Sequence, residues 1–585
     1  MTDDVPATRP AAAWRAAVAA ASRLGDQLGA IDLASRGLHE HPDALALEHA
    51  RLLAFARAGA GRAAETGLAG LRQSGRLDGI ADAALRGEFA ALEARLLKDR
   101  AMAAAPADLA PRAALAAEAY ETAWRQSGQY YHAVNAATLW RIAGDADRAA
   151  ALAHAALAAA AAAPEDYWTL ATIAEARALL GDDAAAAAAV RAAAAAAAER
   201  LDDIAATRRQ LGWLARVTGL GADALAALPT PPVVHWLADP RGDPDADIAL
   251  PADLLAAAGA GHGLLAHGSL LAPADLAVAE ALLRHGAALH LVLPCAAGFC
   301  RDVLARRGGP AAAARFDRLL AAAKARSDVT LEGDPEEITV LRLALLQARG
   351  HALLRGAHLA APVRVLTLAA GRAELAEPPP GAADLDRFLA AWPYRGDGGG
   401  VWSGRQARAL AFGDVKGFSG LDEAQYPAFL RVVIGGFADA LATLGAGVEY
   451  AETAGDGLYV VLSDVVLAAR ACHALHRVLA APRLLAAGLP GDLRMRLSAH
   501  VGPVFRGLDR VTGRERFFGK EVIRTARIEP VAPPGETYVT EQFAAALRSA
   551  ADGGYVCEYV GDQPMAKRFG SCRMYSLRDG GGRPA

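Results

Sequence analysis

Cysteine is scarce in this sequence. Its 585 residues contain five cysteines: Cys295, Cys300, Cys472, Cys557 and Cys572. They form no CxxC pair, and no histidines stand at zinc-ligand spacing, so the sequence gives no sign of a zinc site of that type. Because the cysteines lie in apolar or strand-like segments, we expect buried free thiols.

An excess of one charge and long apolar runs are lacking as well. The formal net charge is only −4, and without a basic domain or stripe we expect no nucleic-acid partner. The alanine-rich stretches 149–163 and 184–198 are short and bounded by charged residues, so no membrane span is predicted. The first ten residues, MTDDVPATRP, are acidic and lack the order of a secretory signal. We therefore expect a cytoplasmic protein.

The remaining composition favours helices. Hydrophobic residues make up 54% of the chain and charged residues 22%. A chain of this length should divide into about three or four domains. We expect a multidomain α and α/β protein with a helical repeat solenoid at 10–228, an α/β domain at 232–370, a linker at 371–405 and a further domain at 406–580.

Residues 10–228 show apolar residues at three- and four-residue spacing, which predicts helices. Two turns match closely: LWRIAGDADRAAALA around Gly144 and ARALLGDDAAAAAAV around Gly181, 37 residues apart. This period is typical of stacked helical hairpins of the tetratricopeptide type. Single hairpins cannot bury their own apolar faces, so the repeats must stack and leave a concave surface.

The stretches YYHAVNAATLWRIAGD and DYWTLATIAEARALLGD resemble the helical repeat region called the TRAFs-binding domain of signalling proteins. The resemblance implies a surface that binds a protein or senses a ligand, and the partner stays unknown. Five side chains could serve such a surface or simply pack between helices, as aromatic residues at helical spacing commonly do. They are Tyr130, Tyr131, Asn135, Tyr167 and Trp168.

After Pro232 the pattern changes to alternating strands and helices. VVHWLAD, HGLLAHGSL, ALHLVLP and VRVLTL are typical of buried apolar strands. They predict a three-layer parallel α/β domain, which resembles a Rossmann-like nucleotide-sensing domain. The glycines of GAGHGLLAHG could approach a phosphate but form no GxGxxG turn, so a ligand site and a spacer role both stay open. The Pro- and Gly-rich segment 371–405 predicts a linker with one short helix.

Residues 406–580 are predicted to follow the order β-α-β-β-α-β, with further strands after it. Asp414 ends the first strand, and Asp456 lies in the tight AGDG turn of the hairpin between the second and third strands. If the first strand lies beside this hairpin, the two carboxylates, 42 residues apart in sequence, converge at one edge of the sheet. Such a pair could bind two divalent metal ions.

The segments FGDVKGFSGL and ETAGDGLYVVL closely resemble the paired signature of class III adenylate and guanylate cyclases, and the resemblance runs across 407–578. It implies a ferredoxin-like α+β domain that converts a nucleoside triphosphate into a 3′,5′-cyclic nucleotide and pyrophosphate. Two Mg²⁺ or Mn²⁺ ions held by Asp414 and Asp456 would help to deprotonate the ribose 3′-hydroxyl and would offset triphosphate charge.

The turn after Asp414 resembles the family's phosphate loop, whose backbone N–H groups can face the β and γ phosphates. An ordinary helix start would have the same local pattern. Four residues form this turn: Lys416, Gly417, Phe418 and Ser419.

Three cations take places that the family uses for phosphate binding or catalysis. Arg496, in RLSAHVG, and Lys567, in AKRFG, stand where the family binds the triphosphate. Arg527, eight residues after Gly519, stands where cyclases keep an arginine that stabilises charge developing at the α-phosphate.

Ile523 departs from the family pattern. Active cyclases commonly carry an asparagine there, which orients the ribose and the transition state. Isoleucine cannot hydrogen-bond, and loss of one oriented donor typically costs about 10²- to 10³-fold in rate. Three interpretations stay open: a slow cyclase, one in which Arg524 or Thr525 substitutes, and a nucleotide-binding module of low or no activity in a repeat-based signalling scaffold.

The base-recognition positions are unusual too. Glu452 takes a position that is lysine in typical adenylate cyclases and glutamate in guanylate cyclases, while Arg516 replaces the usual aspartate or cysteine. Glutamate can accept from guanine N1–H, and arginine can donate to O6. This polarity favours GTP, suits uracil also, and leaves ATP open.

The resemblance also implies a homodimer. In this family the metal-binding aspartates of one protomer meet the arginine and lysine of its partner, so both composite sites need two chains. The N-terminal two-thirds would then act as a sensor or docking region, whose upstream signal the sequence does not give.

Overall fold

The computed structural model describes residues 9–197, 200–259, 263–369, 371–379, 381–390, 392–393, 404–550 and 554–580. Residues 394–403 of the predicted linker and 260–262 of the glycine-containing stretch lie outside the described residues. The chain divides into two compact units. The first contains the helices up to Pro231 together with Ala256–Gly263 and Ala357–Pro362, and the second contains the rest.

The described residues up to Pro231 are helical. Their α-helices are α1 (Ala11–Arg23), α2 (Gln27–Glu40), α3 (Leu45–Arg57), α4 (Gly61–Gln73), α5 (Ala83–Met102), α6 (Pro106–Ser127), α7 (Tyr130–Ala143), α8 (Ala146–Ala161), α9 (Tyr167–Leu179), α10 (Asp183–Ala195), α11 (Leu201–Thr218) and α12 (Ala222–Ala227).

Helices α7 and α9 are equivalent elements of successive repeats. Each ends at a glycine in the left-handed conformation, Gly144 with φ +97° and Gly181 with φ +79°. In both cases the next residue caps the following helix, since the carboxylates of Asp145 and Asp182 accept N–H groups in the first turns of α8 and α10. The glycine removes the steric cost of this sharp stop, which explains the repeated Gly-Asp pair.

Tyr167 packs between helices. It is 1% exposed, and its hydroxyl shares a hydrogen bond of 2.7 Å with the hydroxyl of Thr207. Both polar atoms of the Asn135 side chain form hydrogen bonds. Its amide nitrogen donates to the Tyr131 carbonyl at 2.7 Å, and its oxygen accepts from Lys98 at 2.8 Å. The other three aromatic side chains of the predicted surface are only half-buried.

A six-stranded sheet follows in the second unit, in the order β4-β3-β2-β1-β5-β6. Its pairs are parallel except for the last, β5 with β6. The elements are β1 (Val233–Ala238), α13 (Ala252–Gly259), β2 (Leu264–Gly268), α14 (Pro273–Arg284), β3 (Ala287–Leu293), α15 (Ala297–Ala322, kinked at Gly309), β4 (Ala325–Asp328), α16 (Ile338–His358), β5 (Val363–Ala369), β6 (Arg372–Ala376) and α17 (Ala383–Ala390).

The predicted α/β character of this region is confirmed, and every residue of β1 and β2 is buried, as in sheets covered on both faces. Two strands, β4 and β6, are not predicted from the sequence. Strand β4 is short and polar, and β6 lies within the segment predicted as a linker. The Rossmann-like assignment stays a prediction.

The C-terminal region is an α+β domain whose eight strands follow the order β13-β14-β12-β10-β7-β9-β8, with β11 paired to β10. Its first elements run in the predicted β-α-β-β-α-β order. They are β7 (Gln406–Lys416), α18 (Tyr426–Phe429), α19 (Gly435–Ala442), β8 (Val448–Ala454), β9 (Gly457–Leu462), α20 (Val465–Val478), α21 (Ala481–Ala486), β10 (Arg494–Asp509), β11 (Arg514–Phe518), α22 (Lys520–Ile528), β12 (Thr537–Thr540), α23 (Glu541–Ser549), β13 (Tyr555–Pro564) and β14 (Ser571–Asp579).

The five cysteines are free thiols, three of them buried and two half-buried. Among the described residues, no helix has both the length and the apolar character needed to cross a membrane.

Candidate active site

Asp414 and Asp456 lie together at the end of strand β7. Strand β9 pairs with β7 up to Gly413, and Asp456 occupies the two-residue turn that joins β8 to β9, where Gly455 has φ +66°. Burial, together with the negative charge of the neighbouring Asp414, raises the pKa of Asp456. The fold therefore concentrates negative charge at this point.

Arg496 offsets this negative charge. It lies opposite Asp414 in the antiparallel β7–β10 pair, and its Nη2 donates to Asp414 Oδ2 at 2.6 Å. Its Nε lies 3.2 Å from Oε1 of Glu529. Burial raises the pKa of Glu529 to about 7, opposed by Arg496 and reinforced by the charges of the two aspartates. Glu529 is not predicted from the sequence, because nothing in the local sequence marks the residue after α22 as part of this cluster.

The aspartate pair fits a magnesium or manganese ion that also binds phosphate. Carboxylate oxygens suit both metals, and Mg²⁺ is commonly held by one or two carboxylates together with substrate phosphates. Among the described residues, no group of three or more His, Cys, Asp or Glu side chains is arranged to hold a metal ion. Asp414 and Asp456 would therefore hold such an ion as an open pair of carboxylates, with phosphate oxygens or water as the other ligands.

The turn Lys416–Ser419 begins at the last residue of β7. Gly417 has φ +99°, a conformation that side-chain-bearing residues rarely adopt. A 3₁₀ turn begins at Phe418, and its hydrogen bonds are donated by the N–H groups of Gly420 and Leu421. The N–H groups that come before Gly420 in this turn are therefore the ones that could donate to a phosphate. The ring of Phe418 packs against Tyr426 and Phe429 of the helix that follows.

Glu452 and Arg516 form a second polar cluster. Arg516 Nη2 lies 2.5 Å from Glu452 Oε2, the same oxygen that accepts from the Tyr450 hydroxyl at 2.8 Å. Arg516 Nη1 lies 3.2 Å from Asp509, whose other oxygen accepts the N–H of Val511 in the β10–β11 turn. Sequence analysis missed Tyr450 and Asp509, although Tyr450 stands two residues before Glu452 on the same strand face.

Helix α22 presents Ile523 and Arg527. Ile523 is 45% exposed, while Arg527 is half-buried and its guanidinium makes no hydrogen bond or ion pair with any described residue. Arg524 lies 3.0 Å from the carboxylate of Glu521, and the Thr525 hydroxyl donates to the Glu521 carbonyl at 2.7 Å. Both residues that could substitute for an asparagine at Ile523 are therefore already engaged elsewhere.

Lys567 lies in the turn between β13 and β14, where it is exposed and has φ +57°. Neither Lys567 nor Arg527 makes an ion pair with Asp414 or Asp456 among the described residues. Of these three predicted cations, Arg496 is thus the one that pairs with the aspartates among the described residues.

Residues 405–579 match the family model described as the adenylate and guanylate cyclase catalytic domain. The C-terminal domain is a cyclase catalytic domain. Residues 16–140 match the model described as Tetratricopeptide Repeats-Sensor. The predicted cyclase domain and the predicted tetratricopeptide-type repeats are thereby confirmed.

Several solved structures are similar to the cyclase domain. The adenylyl cyclase CyaB from P. aeruginosa is 17% identical with a TM-score of 0.27, and the match covers 30% of this chain and 95% of that one. The guanylate cyclase domain of RhGC from Catenaria anguillulae, solved in complex with GTP, is 17% identical with a TM-score of 0.25, covering 30% and 96%. The guanylyl cyclase Cya2 is 22% identical with a TM-score of 0.24, covering 30% and 92%. No curated protein matches the chain.

Proposed function

We propose that the cyclase domain converts a nucleoside triphosphate into a 3′,5′-cyclic nucleotide and pyrophosphate. The main support is the position of Asp414 and Asp456. Asp414 lies near the end of β7, Asp456 occupies the turn that joins β8 to the neighbouring strand β9, and Arg496 Nη2 lies 2.6 Å from Asp414. This arrangement lies in a domain that matches the cyclase family model. The helical repeats and the α/β domain would act as sensor and regulator.

The aspartate half of the site would bind the triphosphate. Asp414 and Asp456 would hold two Mg²⁺ or Mn²⁺ ions, which when bound favour loss of the ribose 3′-hydroxyl proton and offset phosphate charge. The guanidinium of Arg496 can bind phosphate oxygens in a fork geometry. The turn Lys416–Ser419 adds backbone donors next to the same strand end.

The second half of the site would come from a partner copy. Arg527 makes no ion pair with any described residue, so its guanidinium could offset the negative charge that develops at the α-phosphate. Lys567 is exposed and would add a phosphate contact. In a homodimer, these cations of one protomer would complete the aspartate cluster of the other.

The base contacts favour guanine. Tyr450 and Arg516 both donate to Oε2 of Glu452, so Oε1 is the oxygen that would accept from guanine N1–H. Arg516 keeps further N–H groups that can donate to O6. Adenine would place its amino group against the N–H donors of Arg516. Uracil, like guanine, would present an N–H to Glu452 and a carbonyl oxygen to Arg516.

A second candidate function is nucleotide binding with little or no turnover. It is favoured by Ile523, which offers no hydrogen bond, and by the engagement of Arg524 and Thr525 with Glu521. In that case the domain would sense nucleotide within a repeat-based scaffold.

The deciding experiment incubates the full chain with ATP, GTP, CTP or UTP and Mn²⁺ and identifies the products by mass spectrometry. A cyclic product that is lost in Asp414→Ala and retained in Asp492→Ala, a change at an exposed aspartate of the same domain, supports the enzyme. Metal-dependent nucleotide binding without any product supports the second candidate.

A further inference from the structure

The α/β domain contacts the cyclase domain at the start of helix α22. The contact is made by Asp328–Glu337, which we name the docking segment and which runs from the end of β4 towards α16. Its Glu332 forms an ion pair with Lys520, the first residue of α22. The hydroxyl of its buried Thr330 donates to the Glu332 carbonyl at 3.3 Å and so holds the backbone of the residue that pairs with Lys520.

Glu521 connects this contact to the core of the cyclase domain. Its side chain is 2% exposed and lies 2.9 Å from Nε2 of His500 on β10. The other ring nitrogen of His500 lies 2.8 Å from the Thr540 hydroxyl at the end of β12. A buried polar network of this kind has few alternative arrangements, because any displaced member leaves a polar group without a partner. The first two residues of α22 are therefore held in different ways, Lys520 by the ion pair with the α/β domain and Glu521 by the network of the cyclase sheet.

The docking segment is itself held by Arg405, immediately before β7. Arg405 is 8% exposed, its Nε donates to Glu337 at 3.0 Å, and its Nη1 donates to the Glu332 carbonyl at 3.3 Å. A second contact joins helices α16 and α23, where a Cβ added to Gly350 would lie 2.0 Å from the carbonyl oxygen of Ala545. The two helices thus touch through their backbones.

Helix α22 carries Arg527, and a displacement of its first turn would shift this arginine. We propose that the docking segment positions α22 for catalysis, with Thr330 and Glu332 as positioning residues of the cyclase site. The proposal rests on the proposed function. Through this contact, any change in the α/β domain that moves the docking segment changes the geometry of Arg527.

The test uses the full chain with Glu332→Lys, Lys520→Glu, the double exchange Glu332→Lys/Lys520→Glu, and Thr330→Val. Hydrogen exchange of α22 and the kcat and KM for nucleotide are measured for each variant. We expect the single changes to speed exchange in α22 and to lower kcat by severalfold to about 10²-fold, the range for a displacement of up to about 1 Å. KM should change less, and the double exchange should restore both readouts.

Asp317→Lys is the matched control. Asp317 pairs with Arg301 within α15 at 2.9 Å, and the two side chains are 48% and 46% exposed, close to the 48% and 55% of Glu332 and Lys520. It should leave α22 exchange and kcat unchanged. Gly350→Ala is a second way to disturb the contact between the α/β domain and the cyclase domain, because the added Cβ should separate α16 from α23 without altering any charge.

Unchanged exchange in α22 for Glu332→Lys and Thr330→Val would overturn the proposal, as would faster exchange with an unaltered kcat. If no protein, the wild type included, makes a cyclic product while α22 exchange responds as expected, the docking contact stands and the proposed function fails. The two failures are therefore distinguishable.

Discussion

Arg496 donates a hydrogen bond to Asp414 across the β7–β10 pair, with an Nη2–Oδ2 distance of 2.6 Å. The same carboxylate is a proposed metal ligand, and the same guanidinium is a proposed triphosphate ligand. In the protein without nucleotide, Arg496 therefore stabilises the charge that a metal ion would otherwise offset. Binding of a metal-nucleotide complex would exchange this internal pair for two external ones.

We predict opposite effects of Arg496→Gln on metal and nucleotide binding. Mn²⁺ alone should bind more tightly, because the competing guanidinium is gone. The metal-nucleotide complex should bind about 10- to 10²-fold more weakly, since a charge-assisted hydrogen bond contributes about 1.5–3 kcal/mol. Calorimetric titration measures both affinities.

Arg494→Gln is the control for that change, because Arg494 is an exposed residue of the same strand whose side chain donates to the backbone carbonyls of Gly491 and Leu493. It should leave both affinities unaltered. Parallel losses of metal and nucleotide affinity in Arg496→Gln would contradict the exchange of partners.

Ile523→Asn should raise kcat. The side chain is 45% exposed, so an asparagine is accommodated without disturbing the core. If the position has its family role, the added donor should increase the rate by about 10²- to 10³-fold with little change in nucleotide affinity. Ile523→Ala removes the same apolar group without adding a donor and should stay slow. Equal rates for the two variants would show that the family role does not transfer to this chain.

The aspartate pair could be predicted from the sequence because the patterns that place each aspartate are local. An AGDG turn between two strands fixes Asp456 at a hairpin tip, and the cyclase signature supplies the neighbouring strand. The same holds for Gly144 and Gly181, whose repeated Gly-Asp pattern ends one helix and caps the next.

Other features depend on contacts between distant segments. The pairing of Arg496 with both Asp414 and Glu529 follows from which carboxyl groups the folded sheet places within reach. The ion pair of Glu332 with Lys520 joins residues 188 positions apart. Strand β4 has a polar sequence, ARSD, and pairs with β3 at the sheet edge. Neither hydrophobic periodicity nor a turn signal marks such features.

Base preference should reverse when the polarity of the second cluster is reversed. The double change Glu452→Lys/Arg516→Asp exchanges the hydrogen-bond acceptor and the donor. The ratio of GTP to ATP turnover should then fall by about 10- to 10²-fold, because a polar group left unpaired in the bound state costs about 1–3 kcal/mol. In the wild-type protein Asp509 lies 3.2 Å from Arg516, so in the double variant its carboxylate would face the new carboxylate at position 516 and repel it. Adding Asp509→Asn should therefore improve the rate with ATP.

Asp509→Asn alone is the control for the reversal. It keeps an oxygen for the β10–β11 turn and should retain the preference for GTP. A ratio that does not move in the triple variant would show that the base is recognised elsewhere. Competition assays with both nucleotides present measure the ratio directly.

Asp275 should make the stability of the α/β domain depend on pH. Its Oδ2 accepts the N–H groups of Leu271 and Ala272 at 3.0 and 2.9 Å where α14 begins, and burial raises its pKa to about 7. In the unfolded chain the pKa of aspartate is about 3.9. Between these values the folded chain holds a proton that the unfolded chain releases, so the contribution is fully present below about pH 4 and is lost as pH rises through 7.

Asp275→Asn keeps a side-chain oxygen acceptor and cannot titrate. Thermal unfolding of both proteins from pH 5 to 8 should show the wild type losing stability relative to the variant as pH rises, by about 2–3 kcal/mol over this range if the whole shift is expressed. The difference should vanish towards pH 4, where both side chains are neutral. Curves that stay parallel over this range would mean that the Asp275 carboxyl ionises in the folded protein as easily as in the unfolded chain, and that its two N–H donors offset the effect of burial.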